Sequence, residues 1–399
     1  MQIKLTQKFK KEFKKKINQA LIELKYPVKI KGKKLNLYAA SGEKSKRART
    51  YHKIFVRDSF YSAFLLKDKN YLKALLEFCI LTQGKKKNPT TGEGPGKILH
   101  EYPEFWIKNK STKYNASDTT ALFLIGLSEY YKLTKDRKFI EKNKSSIISA
   151  LNYIFRHLKN GIFWDDPNAI NANKYALRAT YWRDGGLVGR PNFRLHFPAS
   201  YLLLQAQLVK ALRETAKFSS FLNLPYSKNE LKNHTNKILK TIFTDFWNKK
   251  ENLPIVAKDK RGNLKGVYSD FLHFPYYLEK KDIPTKYLKS ISKISSLLKT
   301  NFGYLSYFPY KQKRERAWLW YNVIWPWEQA YIFSVGEKLK IKELKETSKK
   351  VLLALNSFSN PFVEYFYVKK QTLGKENLEP SGCSLQLWSV ASLFFLLNS

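Results

Sequence analysis

Residues 114–124 read YNASDTTALFL, an acidic residue followed by the start of an apolar helical stretch. Apolar residues recur there at helical spacing, so we predict a helix over residues 116–133 with Asp118 near its first turn. The same periodicity dominates the chain, and short alternating stretches stand only near 301–310 and 363–368. Helices are predicted at residues 6–25, 51–67, 69–83, 116–133, 136–158, 195–220, 228–247, 269–279, 284–299, 322–338, 341–357 and 382–397.

This pattern predicts an all-α fold in a single domain over residues 1–399. The predicted helices can pair into six hairpins, and six hairpins can close into an (α/α)6 toroid with inner and outer rings. Loops at one end of the inner ring would then surround a pit. The connections at 84–115, 159–194 and 358–381 are unusually long, and long ordered loops commonly carry functional residues.

Three short acidic motifs lie next to predicted helix ends and contain Arg57-Asp58, Asp184 and Glu364. Sugar hydrolysis requires two carboxyl groups, one to protonate the glycosidic oxygen and one to activate water or attack the sugar. Aromatic residues adjoin each motif, and flat rings pack well against the C–H faces of sugars. Structural roles are the alternative: an ion pair for Asp58, a helix cap for Asp118 and a turn for Asp184.

Six segments in chain order resemble motifs of the (α/α)6-toroid glucosidases. That group includes glucoamylase, the glucosidase domain of glycogen debranching enzyme and neutral/alkaline invertase. The segments are FVRDS (55–59), GKILHE (96–101), YNASDTTALFL (114–124), WRD (182–184), WPW (325–327) and GCSLQLWSVA (382–391). The resemblance covers about residues 50–397. It implies the toroid fold and hydrolysis of an O-glycosidic bond without a metal or organic cofactor.

The resemblance also implies roles for the matched residues. Asp184 is expected to be the general acid, and Glu364, in a segment FVEYF that is similar to an invertase motif, the general base. The expected substrate-binding residues are Arg57, Asp58, Asp118, Trp182 and Trp325. Two departures affect the expected substrate. Val363 replaces the usual proline, and residues 186–205 lack a glutamate that the family carries there.

The implied reaction is inverting hydrolysis of an α-glucoside from its non-reducing end. The two carboxyl groups are then expected about 6.5–9.5 Å apart, which leaves room for the attacking water. Alternatives are Glu379 as the base, another glycoside such as sucrose as substrate, or an inactive toroid that binds glycans or nucleic acid. Phosphorolysis is a further alternative, and it would be favoured by an anion site of Arg183, Arg190 or Arg194 beside the base.

The net charge is +41, from 73 Lys and Arg against 32 Asp and Glu. These basic residues are spread along the chain without a zinc-finger, RNP or basic-arm pattern, so we predict no specific binding of nucleic acid. The predicted partner is the carbohydrate substrate. Cys79 and Cys383 are predicted to be buried and unpaired, and no metal-binding motif is present. Without a secretory leader or a membrane-spanning run, a cytoplasmic location is predicted, and oligomeric state is left open.

Overall fold

The computed structural model describes residues 7–42, 50–187, 191–308, 322–370 and 376–399. Helices account for most of the regular structure in these residues. The α-helices are α1 (Gln7–Glu23), α2 (Val56–Leu66), α3 (Lys69–Thr82), α4 (Thr119–Thr134), α5 (Arg137–Lys142), α6 (Lys144–His157), α7 (Leu202–Phe218), α8 (Lys228–Thr244), α9 (Asp270–His273), α10 (Thr285–Leu298), α11 (Pro326–Leu339), α12 (Lys342–Lys349), α13 (Val351–Asn356) and α14 (Leu387–Leu397). Short 3-10 helices lie at Pro167–Ile170, Pro191–Phe193, Phe274–Tyr277 and Lys280–Asp282.

Six helical segments contact one another in a closed order. Helix α2 packs on α4, and α4 packs on α7. Helix α7 packs on the 3-10 helix that follows α9, and both α9 and this 3-10 helix pack on α11. Helix α11 packs on α14, which closes the order by packing on α2. A second layer packs outside this ring, with α1 on α14, α3 on α2 and α4, α6 on α4, α8 on α7, α10 on α9 and α12 on α11. The described helices therefore divide into a closed order of contacts and a set of helices packed outside it.

Burial follows the same division. Every residue of α2 from Val56 to Leu65 is buried, and so is every residue of α4 from Thr119 to Ser128. A helix that is apolar on all sides is a core helix, whereas the outer helices, such as α10, bury only one face. Short connections hold the layers together, since Lys67 ends α2 in a left-handed conformation and the Asp68 side chain caps α3.

The strands correct the expectation of an all-α chain. Two hairpins have six-residue strands, β1 (Lys25–Ile30) with β2 (Lys33–Tyr38) and β19 (Tyr365–Lys370) with β20 (Glu376–Ser381). The remaining strands have two or three residues and connect helices: β3 (Ile54–Phe55), β4 (Glu101–Tyr102), β5 (Trp106–Ile107), β6 (Lys110–Ser111), β7 (Leu158–Lys159), β8 (Ile162–Phe163), β9 (Ser200–Tyr201), β10 (Trp247–Asn248), β11 (Leu253–Pro254), β12 (Ala257–Asp259), β13 (Gly262–Asn263), β14 (Val267–Tyr268), β15 (Lys299–Thr300), β16 (Gly303–Tyr304), β17 (Tyr307–Phe308) and β18 (Val323–Ile324).

The first hairpin was not predicted from the sequence, although its signal is present. Val28, Leu35 and Leu37 are buried, which is the alternating pattern of a strand pair with one covered face. Lys31 and Gly32 both have positive φ, as a tight hairpin turn requires.

Each predicted helix has an observed counterpart, but several boundaries were wrong. Helix α7 begins at Leu202 rather than near residue 195, because Ser200–Tyr201 pairs with Ala257–Lys258 and Pro198 cannot donate a helical hydrogen bond. The stretches predicted at 136–158 and 341–357 are each divided into two helices.

Candidate active site

The amino ends of three ring helices, α2, α11 and α14, meet at a cavity of about 190 Å³. Arg57 and Asp58 stand in the first turn of α2, Trp325 directly precedes α11, and Gln386 directly precedes α14. The cavity is lined by Ala40, Tyr51, Phe55, Arg57, Asp58, Trp182, Asp184, Gly185, Trp325, Glu364, Tyr365, Cys383, Gln386 and Trp388. Three carboxyl groups from distant parts of the sequence therefore face one space.

Arg57 connects two of the predicted carboxylates. Its Nε donates to Asp118 Oδ2 at 2.7 Å, and its Nη1 donates to Asp184 Oδ2 at 3.2 Å. Burial opposes the charge of Arg57, but these two carboxylates together raise its pKa above the usual value. Asp118 does not line the cavity. It lies behind Arg57, buried, and its side chain makes no capping hydrogen bond to α4.

The Asp184 side chain is 36% exposed, and its Oδ2 also lies 3.6 Å from His100 Nε2. The two residues before Asp184 in the chain, Trp182 and Arg183, both donate hydrogen bonds to Asp270. It accepts from Trp182 Nε1 at 2.9 Å and from Arg183 Nε at 2.8 Å. The turn that carries Asp184 is therefore attached to the buried helix α9.

Arg183 points away from the cavity into a fully buried polar cluster. Its guanidinium donates to Ser306 Oγ at 2.9 Å and Ser269 Oγ at 3.0 Å, and its Nη2 lies 3.5 Å from Glu328 Oε1. Asp270, His273 and Glu328 are the group in the described residues that could hold a metal ion. Their possible ligand atoms lie within 4.8 Å of one another. The Arg183 guanidinium lies 2.7 Å from Asp270 Oδ2 and 3.5 Å from Glu328 Oε1, so it supplies a positive charge between these two carboxylates.

These contacts also bear on the anion site that would favour phosphorolysis. Arg183 is enclosed by its own partners, and Arg194 donates to the backbone oxygens of residues 175–177. Arg190 lies outside the described residues. Neither Arg183 nor Arg194 therefore offers its guanidinium to an anion beside Glu364.

Glu364 is held by the loop that precedes α14. The backbone N–H of Cys383 donates to its Oε2 at 2.8 Å. Gly382 has φ +77°, and a Cβ at this position would collide with Glu364 Oε2, so only glycine fits here. Glu379, the alternative base, lies on β20, is 51% exposed, forms an ion pair with Lys369 and does not line the cavity.

Tryptophan rings form the buried wall of the cavity. Trp182 and Trp325 meet edge to face with ring centroids 5.8 Å apart, and Trp325 meets Trp388 at 5.5 Å. Cys383 is buried, as expected, but it lies in this cavity-lining loop rather than in a helix.

Asp58 is the most deeply buried carboxyl group of the cavity wall. Its Oδ2 accepts from Gln386 Nε2 at 3.3 Å. Burial raises the pKa of Asp58 well above its usual range, Arg57 opposes this rise, and the charges of Asp184, Glu364 and Asp118 add to it. The cavity therefore favours a protonated Asp58.

We expect Asp58→Asn to raise the melting temperature at neutral pH. Between the unfolded pKa and the raised folded pKa only the folded chain binds the proton, so Asp58 makes stability fall as pH rises. Asparagine does not ionise, so this loss of stability with pH disappears, and its side-chain oxygen can still accept the hydrogen bond from Gln386. Thermal denaturation from about pH 4 to about pH 9 measures the effect, because an unfolded Asp titrates near pH 4.

The matched control is Asp245→Asn, since Asp245 is exposed and its replacement is expected to leave the pH dependence unchanged. A lower melting temperature for Asp58→Asn across the whole range would mean that the attraction of Arg57 outweighs the cost of burial. Turnover is expected to fall about 2- to 10-fold in this variant, since a hydrogen bond between neutral groups contributes about 0.5–1.5 kcal/mol.

Sequence reasoning missed several residues of the site. His100 contacts Arg57 Nη1 at 3.4 Å as well as Asp184. Cys383, Gln386 and Trp388 line the cavity. All four belong to motifs recognised above, GKILHE and GCSLQLWSVA, so the signal was present without a role attached to each residue.

A family model described as amylo-alpha-1,6-glucosidase matches residues 102–395. The chain belongs to this family. It is a glycosidase, and two of the cavity carboxyl groups, Asp184 and Glu364, lie within the matched region, whereas Asp58 precedes it. No curated protein sequence shows significant similarity to it.

Solved structures share the fold of this glycosidase. GH63 mannosylglycerate hydrolase from Thermus thermophilus in complex with Tris matches with a TM-score of 0.65 and 11% identity, over 97% of this chain and 100% of that one. The same hydrolase in complex with glucose gives 0.63 and 12%, over 96% and 99%. A GH78 family rhamnosidase of Bacillus sp. GL1 gives 0.56 and 12%, over 87% of this chain and 32% of that one. None of the described helices of the glycosidase is both long enough and apolar enough to cross a membrane.

Proposed function

We propose that this glycosidase is an inverting, exo-acting α-glucosidase that removes glucose from an α-glucoside or oligosaccharide. The observation that carries the proposal is one cavity with Asp184 on one loop and Glu364 on another, enclosed by tryptophan rings. Two separated carboxyl groups are the minimum that acid- and base-assisted glycoside hydrolysis requires.

In the proposed reaction Asp184 gives its proton to the glycosidic oxygen as the bond to the anomeric carbon breaks. Glu364 takes a proton from a water whose oxygen forms the new bond on the opposite face of the sugar. The N–H of Cys383 orients the Glu364 carboxylate, and Arg57 and His100 hold Asp184 in place. Fixed donors of this kind need no rearrangement during the reaction.

The remaining cavity residues would bind the sugar that is released. Arg57 and Asp58 offer a cation and a carboxyl group to sugar hydroxyls, and Trp182 and Trp325 offer flat apolar faces. These side chains are buried, and in the proposed function they would close the cavity at its inner end. A blind cavity admits the end of a glycan rather than its middle, which supports exo action. Asp118 would act through Arg57 and not on the sugar itself.

The helix contacts support an (α/α)6 toroid as the architecture, in a single domain over residues 1–399. The closed order of α2, α4, α7, α9, α11 and α14 would be the inner ring, and the helices packed outside it the outer ring. Because alternate helices of a toroid run in the same direction, the amino ends of the inner ring gather at one face. The carbohydrate partner enters at that face, and specific binding of nucleic acid is not expected.

Product analysis by NMR tests the proposal. The wild-type protein is given α- and β-linked glucosides, sucrose, mannosides and branched malto-oligosaccharides, and the first-formed anomer is recorded. Release of β-glucose from an α-glucoside is the expected result. Release of α-glucose would exclude inversion, phosphate-dependent formation of a sugar phosphate would indicate phosphorolysis, and hydrolysis of mannosides alone would exclude a glucosidase.

A further inference from the structure

An aromatic surface continues outward from the cavity mouth. Tyr51 and Phe55 line the cavity, and Phe105 packs on both, with ring centroids 5.7 Å and 6.3 Å away. Lys53 Nζ lies 3.4 Å from the centre of the Phe105 ring. Trp106 follows Phe105 directly. We call Tyr51, Phe55, Phe105 and Trp106, with Lys53, the aromatic shelf.

The shelf differs from the tryptophan wall in exposure. Trp182, Trp325 and Trp388 are buried, whereas Tyr51 is 38% exposed and Trp106 is 61% exposed. The other exposed large apolar side chains in the described residues are Ile107, next to Trp106, and single residues on α1, α4, α10, α13 and strand β17. An apolar cluster beside a cavity indicates a binding surface rather than ordinary exposure.

The shelf also adjoins the proposed acid. The Phe55 ring meets the His100 ring at 5.5 Å, and His100 Nε2 lies 3.6 Å from Asp184 Oδ2. In glycoside hydrolysis the acid protonates the oxygen of the leaving group, so the leaving group passes on the side of the acid. With the cleaved sugar inside the cavity, the next sugar would lie on the surface formed by Tyr51 and Phe105.

We propose that the aromatic shelf binds the leaving-group portion of the substrate, which is therefore a glycan with at least one further sugar. The inference rests on the proposed glycosidase reaction at this cavity. Ring faces suit the C–H faces of neutral sugars, and Lys53 can donate to their hydroxyls at the shelf.

The test compares a substrate that occupies the shelf with one that does not. A branched malto-oligosaccharide places sugars on the leaving-group side, whereas α-glucosyl fluoride places none there. In Phe105→Ala the ratio of kcat/KM for the oligosaccharide to kcat/KM for the fluoride is expected to fall about tenfold, the loss of roughly one aromatic contact. Trp106→Ala has little packing to lose and is expected to lower the ratio for longer oligosaccharides. Leu288→Ala, an exposed apolar residue on α10, is the control and keeps the wild-type ratio.

An unchanged ratio in both shelf variants, or equal losses on both substrates, would overturn the inference while leaving the glucosidase proposal intact. If the wild-type protein cleaves neither substrate, the glucosidase proposal fails, and calorimetric binding of the oligosaccharide then decides the role of the shelf. Binding about tenfold weaker in Phe105→Ala would support the shelf, and equal affinity in the wild type and both variants would overturn it.

Discussion

Asp184→Asn and Glu364→Gln are each expected to lower turnover by about 10²–10⁴-fold, the usual contribution of acid–base assistance, but only the loss in Asp184→Asn should depend on the leaving group. Asp184→Asn removes the proton donor, so glycosides with poor leaving groups should suffer most. Glucosyl fluorides need little protonation and should retain more activity. Glu364→Gln removes activation of the water, so it should depress all of these substrates alike. Steady-state kinetics on an oligosaccharide, an aryl glucoside and the fluoride measure the difference.

Glu379→Gln is the matched control, since Glu379 belongs to the neighbouring strand β20 and lies outside the cavity lining. It is expected to retain activity on every substrate. A large loss in this variant with an active Glu364→Gln would transfer the role of base to Glu379. If leaving-group quality made no difference to the defect of Asp184→Asn, the acid would be another carboxyl group.

Arg183→Leu is expected to lower the free energy of unfolding by about 3–5 kcal/mol, the usual cost of removing one partner of a buried ion pair. Asp270 and Glu328 would remain fully buried without their cation. The turn that carries Asp184 would also lose an attachment, so activity should fall even where the variant folds. Urea denaturation followed by circular dichroism measures the stability.

Arg178→Leu provides the comparison within the same loop. Arg178 is exposed and makes one contact of 3.4 Å, to the backbone oxygen of Gly185, so a change within about ±0.5 kcal/mol is expected. An Arg183→Leu variant that kept the wild-type free energy of unfolding and lost only a phosphate-dependent activity would contradict the structural role of Arg183. It would indicate that Arg183 binds an anion.

The helices could be predicted from sequence because a buried helix needs an apolar residue on nearly every turn, and that requirement is local. The first hairpin was missed because β1 and β2 carry only a few buried residues among lysines. The direction of Arg183 was also unpredictable. It stands between Trp182 and Asp184, yet its partners lie more than 80 residues further along the chain.

Local patterns alone determined the helical class of this protein, the position of acidic and aromatic motifs at helix ends, and the two loops that supply Asp184 and Glu364. The tertiary structure decided which polar side chain faces the cavity and which supports it. Arg57 meets Asp118 across 61 residues of sequence and Asp184 across 127, and Asp58 meets Gln386 across 328. The burial and partners of an ionisable group depend on such distant contacts. That is why Asp118 lies behind Arg57, while Asp58, with the same kind of motif, lines the cavity and has a raised pKa.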